Sequence, residues 1–126
     1  MIAWLLLACG AAPTEPVPWM EADGPGTPLT VTPAGRRAAV GERGLLRLGP
    51  GLELTAVVSR RRDGADASSW FADVEGEPLG RVGLTVGERG VAGTVNARGR
   101  RFELVNRDGR VLLEERAVEP PRCDTP

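Results

Sequence analysis

Val82-Gly83-Leu84-Thr85-Val86-Gly87-Glu88-Arg89-Gly90-Val91-Ala92-Gly93-Thr94-Val95 is the stretch whose reading decides the fold class. Val82, Leu84 and Val86 fall on one side of an extended chain, with Arg81 and Thr85 on the other. Side chains alternate between the faces of a strand, so apolar residues at every second position specify a strand with one buried face. Gly87-Glu88-Arg89-Gly90 then supplies a hairpin connection into Val91, Gly93 and Val95.

The same period extends in both directions. Upstream, Leu46 and Leu48 alternate with Leu45 and Arg47. After Gly49-Pro50-Gly51, the residues Leu52, Leu54, Ala56 and Val58 share one face. Trp70, Ala72 and Val74 alternate with Phe71, Asp73 and Glu75, until Glu77-Pro78 breaks the strand. Downstream, Ala97-Arg98-Gly99 turns into Phe102 and Leu104, and Asn106-Arg107-Asp108-Gly109 turns into Val111-Leu112-Leu113. No stretch keeps a helical period. The expectation is an all-β domain over residues 43–119, a small antiparallel meander of about seven strands. Gly83 and Gly93 inside strand patterns predict a bulge, a barrel corner or a close backbone approach. The meander is therefore expected as a strongly bent sheet, a sandwich or an open barrel.

What precedes residue 43 reads differently. From Gly10 to Glu42 the chain carries Pro13, Pro16, Pro18, Pro25, Pro28 and Pro33 and five glycines, with no period. Proline removes donors, glycine is entropically costly to order, and few apolar groups offset either. Residues 9–42 are thus expected to form a largely disordered Pro/Gly-rich tether, on which Trp19 and Met20 dock onto the domain. Residues 120–126 read as a short C-terminal tail.

Composition excludes chemistry. The 126 residues contain no His, and all 16 basic residues are Arg. Histidine triads, HExxH zinc sites, Schiff-base lysines and P-loop lysines are absent from this chain. A formal charge of -1 gathers no nucleic acid by itself. No enzymatic activity, no cofactor and no metal site of its own are expected. Asp73, Glu75 and Glu77 share one face of a strand, but opposite Trp70, Ala72 and Val74 they read as a solvated sheet surface. Glu114 and Glu115 point to opposite faces. Arg60-Arg61-Arg62 is a potential phosphate or anionic-lipid contact, read here as a strand end flanked by Asp63 and Asp66.

Two resemblances suggest a role. Met1-Ile2-Ala3-Trp4-Leu5-Leu6-Leu7-Ala8 is an uncharged apolar run too short to span a bilayer. With Cys9 it resembles a bacterial signal peptide ending in a lipobox, Leu6-Leu7-Ala8-Cys9. That implies removal of residues 1–8 and acylation of Cys9. With Gly10 following, it also implies a lipoprotein of the outer membrane or cell surface. The second resemblance lies in Trp70-Phe71-Ala72-Asp73-Val74-Glu75-Gly76-Glu77-Pro78, Val82 to Val86, Gly90 to Val95 and Gly99-Arg100-Arg101-Phe102-Glu103-Leu104. These are similar to the pro-domain preceding the catalytic domain of reprolysin-like (adamalysin-type) zinc metalloproteases. The match departs from the pattern at Gly80-Arg81-Val82 and in the last strand, which lacks the usual His. This resemblance implies a non-catalytic, protein-binding β module, an inhibitor or chaperone of a zinc metalloprotease encoded elsewhere. It also brings in Cys123, in Pro120-Pro121-Arg122-Cys123-Asp124, as a ligand to the partner's zinc. A disulfide with Cys9, a link to another chain and an idle thiol stay open for Cys123. The alternatives to the whole reading are a structural envelope lipoprotein with a self-associating β domain, or the truncated N-terminal part of a metalloprotease precursor.

Overall fold

A computed structural model describes residues 16–117. Seven of its strands form the meander legible in the alternation: β3 Arg43–Gly49, β4 Leu52–Asp63, β5 Ala67–Val74, β6 Arg81–Gly87, β7 Gly90–Ala97, β8 Arg100–Arg107 and β9 Arg110–Arg116. Each pairs antiparallel with the next, with Trp70 opposite Leu84, Val82 opposite Val95 and Leu104 opposite Leu113. Two hairpins turn through left-handed pairs, Arg98–Gly99 at φ 53° and 70° and Asp108–Gly109 at 52° and 77°. Positive φ at both central residues is the type I′ signature, whose twist matches the twist of the strands it joins.

Residues 17–36 correct the expected tether. β1 Val17–Ala22 runs parallel to β3, pairing Val17 with Gly44 and Glu21 with Arg47. β2 Leu29–Val31 returns antiparallel to β1, and a single helical turn, α1 Pro33–Arg36, follows. The domain therefore starts at Val17 and not at residue 43. The prolines and glycines that look like disorder punctuate this short structure. Pro18 sits where the β1–β3 register shifts, a place that tolerates a missing donor. Pro33 occupies the first turn of α1, where no intrahelical donor is needed, and Thr32 caps that turn by accepting from Gly35 N at 3.1 Å. Residues 9–15, with the apolar run 1–8 and Cys9, lie outside the described residues, as do residues 118–126 with Cys123.

The sheet order is β2-β1-β3-β4-β5-β6-β7-β8-β9, and its two ends nearly meet. Pro28 bridges Leu112, Gly26 N donates to Leu113 O at 2.6 Å, and Leu113 N donates to Thr27 O at 3.0 Å. The result is a nearly closed barrel. Register shifts at Pro18/Met20, Arg47/Gly49 and Val58/Arg60 supply local bends. Between β6 and β7 the register is unbroken, so Gly83 and Gly93 mark close approach and not a bulge. A Cβ on Gly93 would stand 2.4 Å from Gly83 O.

The interior is filled with side chains. Met20, Leu46, Leu48, Trp70, Phe102 and Leu113 are all essentially inaccessible. Trp19 and Trp70 stack with centroids 5.0 Å apart, and Trp70 Nε1 donates to Gly35 O at 2.8 Å. Gly44 makes the stack possible, because a Cβ there would overlap the Trp19 ring. The barrel has two rims. The upper carries the β3–β4 turn, the β5–β6 loop, the β7–β8 turn and the end of β9. The lower carries the β4–β5, β6–β7 and β8–β9 turns, the α1 connection and the start of β1.

Candidate functional site: an apolar groove at the upper rim

The β5–β6 loop, residues 75–80, is the feature of the upper rim that a stable barrel does not itself require. It holds together by its own backbone: Glu77 N donates to Val74 O at 3.3 Å, Gly80 N to Glu77 O at 3.0 Å and Val74 N to Gly80 O at 3.2 Å. Two glycines permit the shape. Gly76 has φ 78°, and a Cβ on Gly80 would stand 2.6 Å from Val74 Cβ.

Two arginines then clamp the loop from either side. Arg81 Nη1 donates to Pro78 O at 3.1 Å and Gly80 O at 2.9 Å while pairing with Asp73 at 3.2 Å. Arg98, on the β7–β8 turn, donates its backbone N–H to Glu77 Oε1. Its guanidinium crosses the rim to Gly51 O at 2.6 Å and Glu53 O at 3.0 Å. One side chain thereby ties three upper-rim connections together.

The clamped loop presents Leu79 to solvent at 88% exposure, the most exposed large apolar side chain among the described residues. Beside it lies a groove of about 550 Å³ whose walls are Gly76 to Gly80 on one side and Asn96 to Arg100 on the other. Its surface is predominantly apolar. An exposed leucine on a floppy loop is unremarkable, because ordering it on binding cancels much of the gain. Leu79 sits on a loop already ordered by backbone bonds, by the Arg81 guanidinium and by the Arg98 backbone N–H on Glu77. Burying such a side chain contributes about 2 kcal/mol to association.

The groove's far wall ends in a bidentate pair, Arg100 Nε and Nη2 to the Glu115 carboxylate at 2.9 and 2.7 Å. That pairing holds the Glu115 carboxyl below its ordinary range and raises Arg100.

The carboxylates singled out from the sequence are distributed, not convergent. Asp73 pairs with Arg81, Glu75 with Arg43 at 2.6 Å, and Glu77 holds Arg98. Each is neutralised by its own arginine, which is how an ion-paired sheet exterior is built. Glu114 pairs with Arg107 at 2.9 Å and Glu115 with Arg100, on opposite faces as the alternation requires. No group of three or more His, Cys, Asp or Glu side chains among the described residues is arranged to hold a metal. In the arginine run, Arg61 turns inward to donate to Ala38 O at 2.7 Å and pairs with Asp63, whose carboxyl it lowers. Arg60 lies over the Phe71 ring at 4.5 Å. Leu79, Arg81 and Arg98 escaped the sequence reading. The available signal was an apolar residue isolated between Pro78 and Gly80, where a turn offers it nothing to pack against.

Comparison with known proteins gives the fold and little else. No protein-family model matches the chain, and no curated protein matches it. One chain from a solved chaperone-substrate complex is similar, with a TM-score of 0.61 at 13% identity, covering 77% of this chain and 92% of that one. The likeness establishes a shared small β architecture and carries no activity across.

Proposed function

We propose that this protein is a non-catalytic, membrane-anchored binding module. Acylation of Cys9 holds it at the bacterial envelope, and the upper-rim groove receives a protein partner. The observation that carries the reading is Leu79, 88% exposed on a loop held by the Arg81 guanidinium and the Arg98 backbone N–H. The geometry of attachment agrees with it. β1 begins at Val17 on the lower rim, and the groove lies at the opposite rim. Seven residues separate Cys9 from Val17, eight Cα steps that reach at most about 28 Å, so an acylated Cys9 keeps the barrel close to the bilayer. A zinc metalloprotease is the partner class offered by the pro-domain resemblance. β9 ends at the upper rim, where Arg116 stands opposite Arg101.

The test is titration of the purified full chain against the zinc metalloproteases secreted by the same organism. Saturable inhibition or improved refolding yield, lost in Leu79→Asp and in Cys123→Ser, supports the inhibitor or chaperone role. Loss in Leu79→Asp alone keeps the groove and removes the zinc ligand. Homodimers disrupted by Leu79→Asp, with no protease bound, favour the self-associating envelope protein instead.

A further inference from the structure

The arginines of this barrel are segregated by pairing. In the upper half Arg47, Arg81, Arg98, Arg100, Arg101 and Arg116 each make an ion pair. In the lower half, among the described residues, Arg36, Arg37, Arg60, Arg62, Arg89 and Arg110 make none, and only Arg43, Arg61 and Arg107 do. Counting the described residues, that half holds nine arginines against five carboxylates, whereas the upper half holds six against nine. A chain of nearly zero net charge has become a dipole along the barrel axis. Val40, at 62% exposure, and Val17, at 49%, add apolar surface to the same cationic end.

We propose that the lower rim docks on an anionic lipid surface, through a contact separate from any acyl chain. Guanidinium groups with no carboxylate partner have donors to offer lipid phosphates, and their charge does not titrate. The adjoining exposed valines supply the apolar contact that such a surface takes up at its headgroup boundary. The position is the one such a contact needs, because Val17, where the N-terminal segment joins the barrel, belongs to this rim. A nearby negative surface then orients the barrel with its groove outward. Attraction of this kind reaches only about 8 Å in physiological salt, so it acts as a docking force and not as long-range steering.

The proposal goes beyond the anchored-module reading and is tested without acylation. The full chain carrying Cys9→Ser is sedimented with vesicles of phosphatidylcholine alone and of phosphatidylcholine mixed with phosphatidylglycerol. Tighter partition into the mixed vesicles is expected, falling steeply with added salt. Arg36→Gln, Arg37→Gln and Arg62→Gln combined weaken it about a hundred-fold, at roughly one kcal/mol per arginine at the surface. Arg47→Gln, Arg101→Gln and Arg116→Gln combined change it less than about three-fold, because paired charges contribute little. Equal partition into both vesicle types overturns the proposal, as does binding indifferent to salt or an equal loss in both variant sets. Binding confined to a DNA duplex, with the lower-rim arginines required and vesicles ignored, overturns it too. The anchor itself is read separately by intact mass, so either finding can fail without the other.

Discussion

Gly44→Ala is the substitution that probes the architecture most sharply. An ideal Cβ at Gly44 stands 1.7, 1.9 and 2.2 Å from three atoms of the Trp19 indole, where van der Waals contact requires about 3.5 Å or more. The ring has nowhere to retreat, since it is 2% exposed and stacked 5.0 Å from Trp70. Either the β1–β3 pairing opens, or Trp19 leaves the core. Overpacking a filled core costs about 1–3 kcal/mol. Losing the burial of a large aromatic costs about 3–5 kcal/mol. We expect about 3 kcal/mol, which for a domain near one hundred residues lowers Tm by about 12 °C or more. Thermal and urea unfolding followed by near-ultraviolet circular dichroism reads both quantities. The double variant Trp19→Ala/Gly44→Ala supplies the control: with the indole gone, the added methyl group finds space and the Gly44→Ala cost disappears. A Gly44→Ala protein within about 0.5 kcal/mol of the parent, or additive effects in the double variant, would refute the placement of residues 17–22 inside the barrel.

Four further outcomes are expected. A fragment beginning at Arg43 lacks Trp19, Met20, Leu29, Val31 and Ala38 from the core, and its proton NMR spectrum should show no dispersed methyl signals. Arg98→Ala removes the bonds to Gly51 O and Glu53 O and should cost about 1–2 kcal/mol, with limited proteolysis appearing first in the β3–β4 turn, residues 49–52. Leu79→Asp should leave stability within about 0.5 kcal/mol while weakening partner binding more than about ten-fold. Glu115 is held below its ordinary range by Arg100, so its stabilising contribution is complete above the ordinary carboxylate range and lost as pH falls through the depressed value. Carboxyl-carbon NMR titration of Arg100→Gln should move Glu115 back upward, and an unchanged midpoint would remove Arg100 as the cause.

How much of this was readable from residues alone depends on whether the information was local. β3 to β9 each carry two or more inward apolar positions at spacing two, and Gly-bearing turns join most of them. Their register therefore follows from pattern and turn chemistry. β1 and β2 offer six and three residues, with Pro18 inside the first, which is too little for a period to emerge. Their place is set by contacts far away in sequence: Trp19 against Gly44 and Trp70, Met20 beside Leu46, Pro28 against Leu112. Barrel closure is invisible for the same reason. The groove was hidden differently. Leu79 looked like a loop residue, and its significance comes from Arg81 and Arg98 converging on the same six residues, one from the next strand and one from a later turn. The charge segregation along the barrel likewise exists only after folding, because the sequence interleaves the two groups of arginines.

Intact mass spectrometry of the protein extracted from its native cells tests the proposed lipid anchor at the cell envelope most directly. The expected species lies in the membrane fraction, lacks Met1 to Ala8 and carries acyl mass on Cys9. A soluble species retaining Met1, with an unmodified Cys9, contradicts it.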